Sequence, residues 1–283
     1  MFYFAGTPFH QIDLQRINRL QIGAAILSGG GRAQALRYKM FHFVGTPFHY
    51  SHTSLLLYNR KDLPMLTLDD IKRNGTIKTY VQSADNVMNA MKYTEHGFAH
   101  AGIASHVARH ILSALDYDDR TCELAAIAGY MHDIGNNINR YDHAQSGGTM
   151  AFVLLNQLGM DPTEIASIVT AIGHHDEGTG GPVHPISAAL IIADKSDVRR
   201  SRVRDKADIA IDIHDRVNYA VTDSELEVFP TEKIIRLGLT IDTQICPVME
   251  YFEIFLSRML MCRKAAEYLG CRFTLDINGT RLL

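Results

Sequence analysis

Histidines and aspartates recur in this sequence at positions where a helical pattern calls for apolar residues. His100 falls on the stripe Ile103, Val107, Ile111 and Leu115. His132 and Asp133 close the run ELAAIAGYMHDIG, on the face of Leu124, Ala128 and Met131. His143 heads YDHAQSGG on a face continued by Gly147, Met150 and Leu154, and His175 stands three residues past Ile172 on the face of Ile165, Ile168 and Val169. Asp194 interrupts IIADKSDVRR in an otherwise apolar turn. An unsatisfied buried polar group costs about 1–3 kcal/mol and a buried carboxylate more, so each of these residues must be hydrogen-bonded or metal-bound. Singly, each has a structural explanation as a satisfied core residue. Together, one shared metal centre accounts for ligand-type residues arriving from five helices. Imidazole beside a hard carboxylate suits a first-row divalent metal. His174 is rotated off the inward face, and its role as an outer or occasional ligand is left open. His106 and His110 lie roughly 240° and 280° around the helix from His100 and are expected to face solvent.

The elements that must position these residues are helical from Leu66 onward. Apolar residues return every three or four positions, with Thr67 as a candidate N-cap and Asp69 and Asp70 in the first turn behind it. Further helices are expected at about 77–92, 97–115, 119–134, 143–158, 162–175 and 185–200, each ended by Gly, Asp or Pro, which gives an all-α bundle over 65–205. Past 205 the period changes. SELEVF and KIIRLGLTI alternate like strands across a PTE turn, residues 247–269 read as a long helix carrying Tyr251, Phe252, Phe255, Met259 and Leu260, and CRFTLDI reads as a third strand. The fold class is therefore mainly α, with a small C-terminal α+β (ββαβ) extension over 206–283. Residues 1–64 carry net +5 against −8 for the rest and repeat a decapeptide, MFYFAGTPFH at Met1 and MFHFVGTPFH at Met40. With Gly29, Gly30 and Gly31 between the copies and no sustained period, they are read as a weakly ordered leader or an over-extended start with Met65 as the true beginning.

A net charge of −3 over 283 residues makes no electrostatic case for nucleic acid as an obligatory partner. No stretch approaches the ~18–20 apolar residues of a membrane helix, and the start lacks the order of a signal peptide, so a cytosolic location is expected. Cys122, Cys246, Cys262 and Cys271 form no CxxC pair and are read as reduced, mostly buried thiols.

The order H, HD, H, HH, AD, with HDIG at 132–135, resembles the HD-domain metal phosphohydrolases over about residues 80–205. By motif position, His100 is similar to the family's first histidine, His132 and Asp133 to its central pair and Asp194 to its closing aspartate. His143 and His175 resemble the extra histidines of the members that bind two metals. The AIxxHxxxG and ADK surroundings are most similar to the bacterial branch that hydrolyses dinucleoside polyphosphates. HHD is also similar to the cyclic-dinucleotide phosphodiesterase branch, although GTGGP lacks that branch's GYP. Asn136 departs from the lysine that often follows HDIG. His96, one turn before His100, is the second candidate for the first histidine, with the helical stripe and the interval to His132 favouring His100. His214 and Asp215 imitate the central pair without the rest of the series and are read as structural or substrate-side.

The resemblance implies one or two divalent transition metals (Mn, Fe, Co or Ni, with Mg also allowed) and a small phosphorylated substrate, most naturally a nucleotide. Asp133 would be shared by two cations ~3.5–4 Å apart, with His100, His132 and Asp194 on one and His143 and His175 on the other, and a single-metal site stays open. Lys195 is expected to act in catalysis and, with Arg199 and Arg200, to contact the substrate's phosphates or leaving group. Asp176 and Glu177 are candidate proton donors. Two other readings are open: a di-iron oxygenase on the same ligand set, and a catalytically silent nucleotide sensor. A homodimer through the C-terminal unit is a further expectation.

Overall fold

A computed structural model describes residues 65–204 and 213–282; the duplicated N-terminal segment lies outside them. Among the described residues, nine helices precede or enclose a small four-stranded sheet. The helices are α1 (Leu68–Arg73), α2 (Gly75–Ala90), α3 (Phe98–Ala114), α4 (Asp119–Met131), α5 (His143–Gln157), α6 (Pro162–Gly173), α7 (Pro185–Ser196), α8 (Ile213–Ala220) and α9 (Val248–Tyr268). Their starts follow from side chains that satisfy the first free amides. Thr67 and Asp70 form a capping box, Asn74 caps α2, Asp118 caps α4, and Asp161 caps α6 just ahead of Pro162.

Helices α4 and α7 are the axis of the bundle. From Leu124 to Met131 and from Ile186 to Ala193 every residue is buried, so neither helix has a polar face and both are covered on all sides. Helix α3 packs on both, α6 on α4, and α9 on the outer side of α7. The contact of α3 with α4 is made by small residues. The buried face of α3 is His100, Ala101, Ala104, Ser105, Ala108, Ile111 and Leu112. Ile103 and Val107, on which the expected stripe was drawn, are only half-buried. A Cβ on Gly129 of α4 would stand 2.7 Å from the Ser105 backbone, so small side chains on both helices are what permit this approach. His106 and His110 are exposed, as expected.

The C-terminal sheet runs in the order β1 (Val221–Phe229), β2 (Ile234–Ile241), β3 (Arg272–Ile277) and β4 (Thr280–Arg281). The β1–β2 hairpin is antiparallel, whereas β2 and β3 are parallel because the chain crosses between them through α9. The expected ββαβ pattern is present, with α8 before it and the short β4 after it as additions. Its core is continuous with that of the bundle: Tyr251, Phe255, Met259 and Cys262 of α9 belong to the same buried cluster as Leu190 and Ile191 of α7. All four cysteines are free and buried. No helix of the described residues is long and apolar enough to cross a membrane.

Candidate metal centre

The ends of α4, α6 and α7, the start of α5 and the first turn of α3 deliver side chains to one buried point. Helix α4 stops at Met131 because Asp133 leaves helical geometry and a 3-10 turn, Ile134–Asn137, takes over. His132 and Asp133 therefore sit at a break, where adjacent side chains converge instead of diverging by 100°. Asp142, in the left-handed conformation at φ 57°, then turns the chain so that α5 begins on His143. His100 and His132 are fully buried, His175 and His143 nearly so, and Asp133 retains 7% exposure.

Each imidazole is held by its Nδ1. His132 Nδ1 donates to Gly129 O at 2.8 Å, His175 Nδ1 to Ile172 O at 2.6 Å and His143 Nδ1 to Arg140 O at 3.1 Å. His100 Nδ1 pairs with Asp197 Oδ2 at 2.7 Å. A carbonyl oxygen only accepts, so in these three histidines Nδ1 carries the proton, and a neutral ring then keeps a lone pair on Nε2. The four Nε2 atoms nevertheless face one another, His100 to His132 at 3.2 Å and His143 to His175 at 3.1 Å. Opposed lone pairs at that distance repel unless positive charge lies among them.

Asp133 joins the two histidine pairs through separate oxygens. Its Oδ2 is 3.3 Å from His132 Nε2 and 3.6 Å from His100 Nε2, while its Oδ1 is 3.6 Å from His143 Nε2. Oδ2 is buried and accepts no hydrogen bond, an orphaned anion aimed into the cluster. Asp194 Oδ1 completes the first group, 3.2 Å from His100 Nε2 and 3.6 Å from His132 Nε2. Three ligand sets have all their donor atoms within 4.8 Å of one another: His100–His132–Asp133, His132–His175–Asp194 and Asp133–His143–His175. Imidazole nitrogens and carboxylate oxygens so arranged could hold a metal ion.

The electrostatics show the same demand for positive charge. Burial pushes the His132 imidazole down, but the carboxylates of Asp133 and Asp194 outweigh it and raise it to about 10, so without metal a proton occupies this field. Burial likewise opposes ionisation of Asp133, and His132, His96 and His100 overcome it and hold the carboxyl well below the usual range. His175 and His143 are lowered by burial and stay neutral, the form in which an imidazole can bind a metal.

His174 belongs to none of these sets; it caps the end of α6. His96 lies beside His100, ring centroids 5.6 Å apart, with its Nδ1 on Thr94 O at 2.6 Å, outside the three sets. His214 and Asp215 on α8 join no set either. Lys195 is placed against the cluster, its Nζ 2.7 Å from Asp194 Oδ2 and 2.7 Å from Glu177 Oε2. Arg199 and Arg200, the candidate phosphate contacts, both have protein partners among the described residues. Helix α7 ends at Ser196, not 200, and Arg199 is turned onto Asp197 and Glu95 at 2.9 and 2.8 Å, while Arg200 stacks on the Tyr219 ring and bonds Tyr219 O. Asp176 receives the Gly178 amide.

Sequence reasoning missed Asp197, which orients His100 from behind and is itself fixed by Arg199 and by Arg202, whose Nη1 donates to its carbonyl at 2.7 Å. The signal was present in the spacing: a third acid, three residues after Asp194, amid arginines. Asn136 was noted only for the lysine it replaces, yet its amide donates to Asp133 O and Oδ1, both at 3.0 Å, and fixes the shared carboxylate.

Glu177 was one of two candidate proton donors. Burial would raise it, but Lys195 and Arg258 of α9 outweigh burial and hold its carboxyl at about 2, so it is ionised at neutral pH. A depressed carboxyl contributes stability that is present above its ordinary value of 4.5 and is lost as pH falls toward 2. Glu177→Gln is therefore expected to destabilise the protein at pH 7 by on the order of 1–3 kcal/mol, with the deficit shrinking at pH 3. Urea midpoints of both proteins at the two pH values test this; an equal deficit at both contradicts it.

A scan against protein-family models gives no match to this chain, and a search of curated proteins gives no significant one.

Proposed function

We propose that the chain is a metal-dependent phosphohydrolase of the HD type, cleaving a phosphoester or phosphoanhydride bond in a nucleotide or related small phosphorylated substrate. The observation that carries this reading is the pair of imidazole pairs with Asp133 between them, one oxygen toward each. That arrangement suits two cations sharing one carboxylate, the use for which His100, His132, Asp194, His143 and His175 were read from sequence. Divalent metal at such a site supplies an activated water at neutral pH and takes up negative charge on phosphoryl oxygens.

The residues of the chain have separable parts in this scheme. Asp197 and the carbonyls of Gly129, Arg140 and Ile172 keep each ring in the tautomer that presents Nε2. Asn136 keeps Asp133 from rotating away. Lys195, held between Asp194 and Glu177, maintains the Asp194 carboxylate in its charged form and places a cation at the edge of the site. Arg258 ties this edge to α9, which makes the C-terminal unit part of the site's support.

The test is metal analysis of the purified protein followed by a nucleotide panel assayed for phosphate release, with and without chelator. The expected result is one to two metals per chain and chelator-sensitive, oxygen-independent release of phosphate with Mn. Metal binding with no phosphate release from any nucleotide, or turnover that requires oxygen, would replace the hydrolase reading with a sensor or an oxygenase.

A further inference from the structure

The cations around the cluster differ in what already occupies them. Lys195 is shared by two carboxylates, Arg199 is bound by Asp197 and Glu95, Arg202 by the carbonyls of Glu95 and Asp197, and Arg258 by Glu177. Arg140, unlike Lys195, Arg199 and Arg258, has no carboxylate within hydrogen-bond distance among the described residues. It lies between the 3-10 turn and α5, its Nη1 donates to Asn136 Oδ1 at 3.3 Å, and its guanidinium makes no other hydrogen bond among the described residues. The carboxylate nearest it is Asp133, with Oδ1 4.0 Å from Nη1. That oxygen also faces His143, so Arg140 stands on the His143–His175 side, whereas Lys195 touches Asp194.

Two further features make this guanidinium available. Its side chain is 22% exposed, and its neighbours Ile138 and Tyr141 are 66% and 83% exposed, so the segment opens to solvent. The Tyr93 ring, 5.9 Å from the guanidinium carbon, restrains it without using any of its donors. Once Asp133 shares its charge with a cation, Arg140 has no counter-anion of its own. A planar fork with most of its five donors unused matches two oxygens of a phosphate.

We infer that Arg140 is a substrate-binding residue that clamps phosphoryl oxygens entering from the His143–His175 side of the cluster. The inference rests on the phosphohydrolase reading and adds a phosphate contact on the His143–His175 side of the cluster. It also accounts for the Asn136 link: one amide fixes the shared carboxylate while its carbonyl oxygen orients the guanidinium beside it.

The test is calorimetric titration of the metal-loaded full chain with inorganic phosphate and with pyrophosphate, for the native protein, Arg140→Ala and Arg140→Lys, with metal content measured on each. The expected result is unchanged metal content and a loss of phosphate affinity on the order of ten- to a hundredfold in Arg140→Ala. Arg140→Lys, which keeps the charge but not the fork, is expected to recover part of that loss. Equal affinity in the native protein and Arg140→Ala overturns the assignment and leaves the hydrolase reading standing. Loss of metal from both variants also overturns it and makes Arg140 a positioning residue for Asp133. A native protein that holds metal and binds neither anion overturns the hydrolase reading and this inference together.

Discussion

On the phosphohydrolase reading, Asp133→Asn is expected to remove most metal binding and turnover while leaving the fold in place. The substitution conserves shape, and Asn136 still has the Asp133 carbonyl to bond. It removes a negative charge that reaches both histidine pairs through separate oxygens, Oδ2 toward His100 and His132 and Oδ1 toward His143. An amide offers one weaker oxygen in place of two charged ones, so it cannot be shared. Metal content is expected to fall to at most one ion per chain, and phosphate release by on the order of a thousandfold or more in kcat/KM.

A readout independent of turnover is available in thermal stability. A ligand that binds only the native state stabilises it by about 2.7 kcal/mol at a hundredfold excess over its dissociation constant. The native protein should therefore melt several degrees higher with metal than with chelator, and Asp133→Asn should show little of that difference. A variant that keeps the full metal-induced rise in Tm would mean that Asp133 is not a shared ligand.

The ligand-type residues were legible in the sequence because burial penalises them: an imidazole or carboxylate on an apolar face has to be explained. His100 was selected partly on the wrong grounds. Ile103 and Val107 flank the buried face and do not form it, and the residues that do, Ala101, Ala104 and Ala108, are too small to register in a hydrophobic period. His100, and not His96, joins a buried ligand set, because both faces contain position 100. The arginines could not be sorted from sequence. Whether Arg199 or Arg140 has donors to spare depends on which acids fold against it, and Glu95, which binds Arg199, is 104 residues away in the chain. The bundle and the ββαβ order followed from period and punctuation. The parallel pairing of β2 with β3 required only that a 21-residue helix separate two strands of one sheet.

Gly135→Ala is expected to be the most damaging single-methyl change near the site. A Cβ at this position would lie 2.0 Å from His143 O and 2.4 Å from Gly147 N, both backbone atoms, so no side-chain rotation relieves the overlap. The 3-10 turn and the first turn of α5 would have to separate, and those are the elements that carry Asp133 and His143. Overpacking of this kind costs typically 1–3 kcal/mol, and a clash with backbone on two sides belongs at or above the upper end. Because α5 moves as a unit, the His143–His175 pair should open and metal content should fall even in protein that remains folded. Gly102→Ala on α3 supplies the contrast. Nothing lies within 4 Å of its Cβ, so the higher helix propensity of alanine should stabilise the protein by about 0.5–1 kcal/mol and leave metal content unchanged. Urea midpoints and metal content of the two variants give opposite signs on this account. A Gly135→Ala protein with native stability and a full complement of metal would show that the turn and α5 do not meet as closely as the cluster requires.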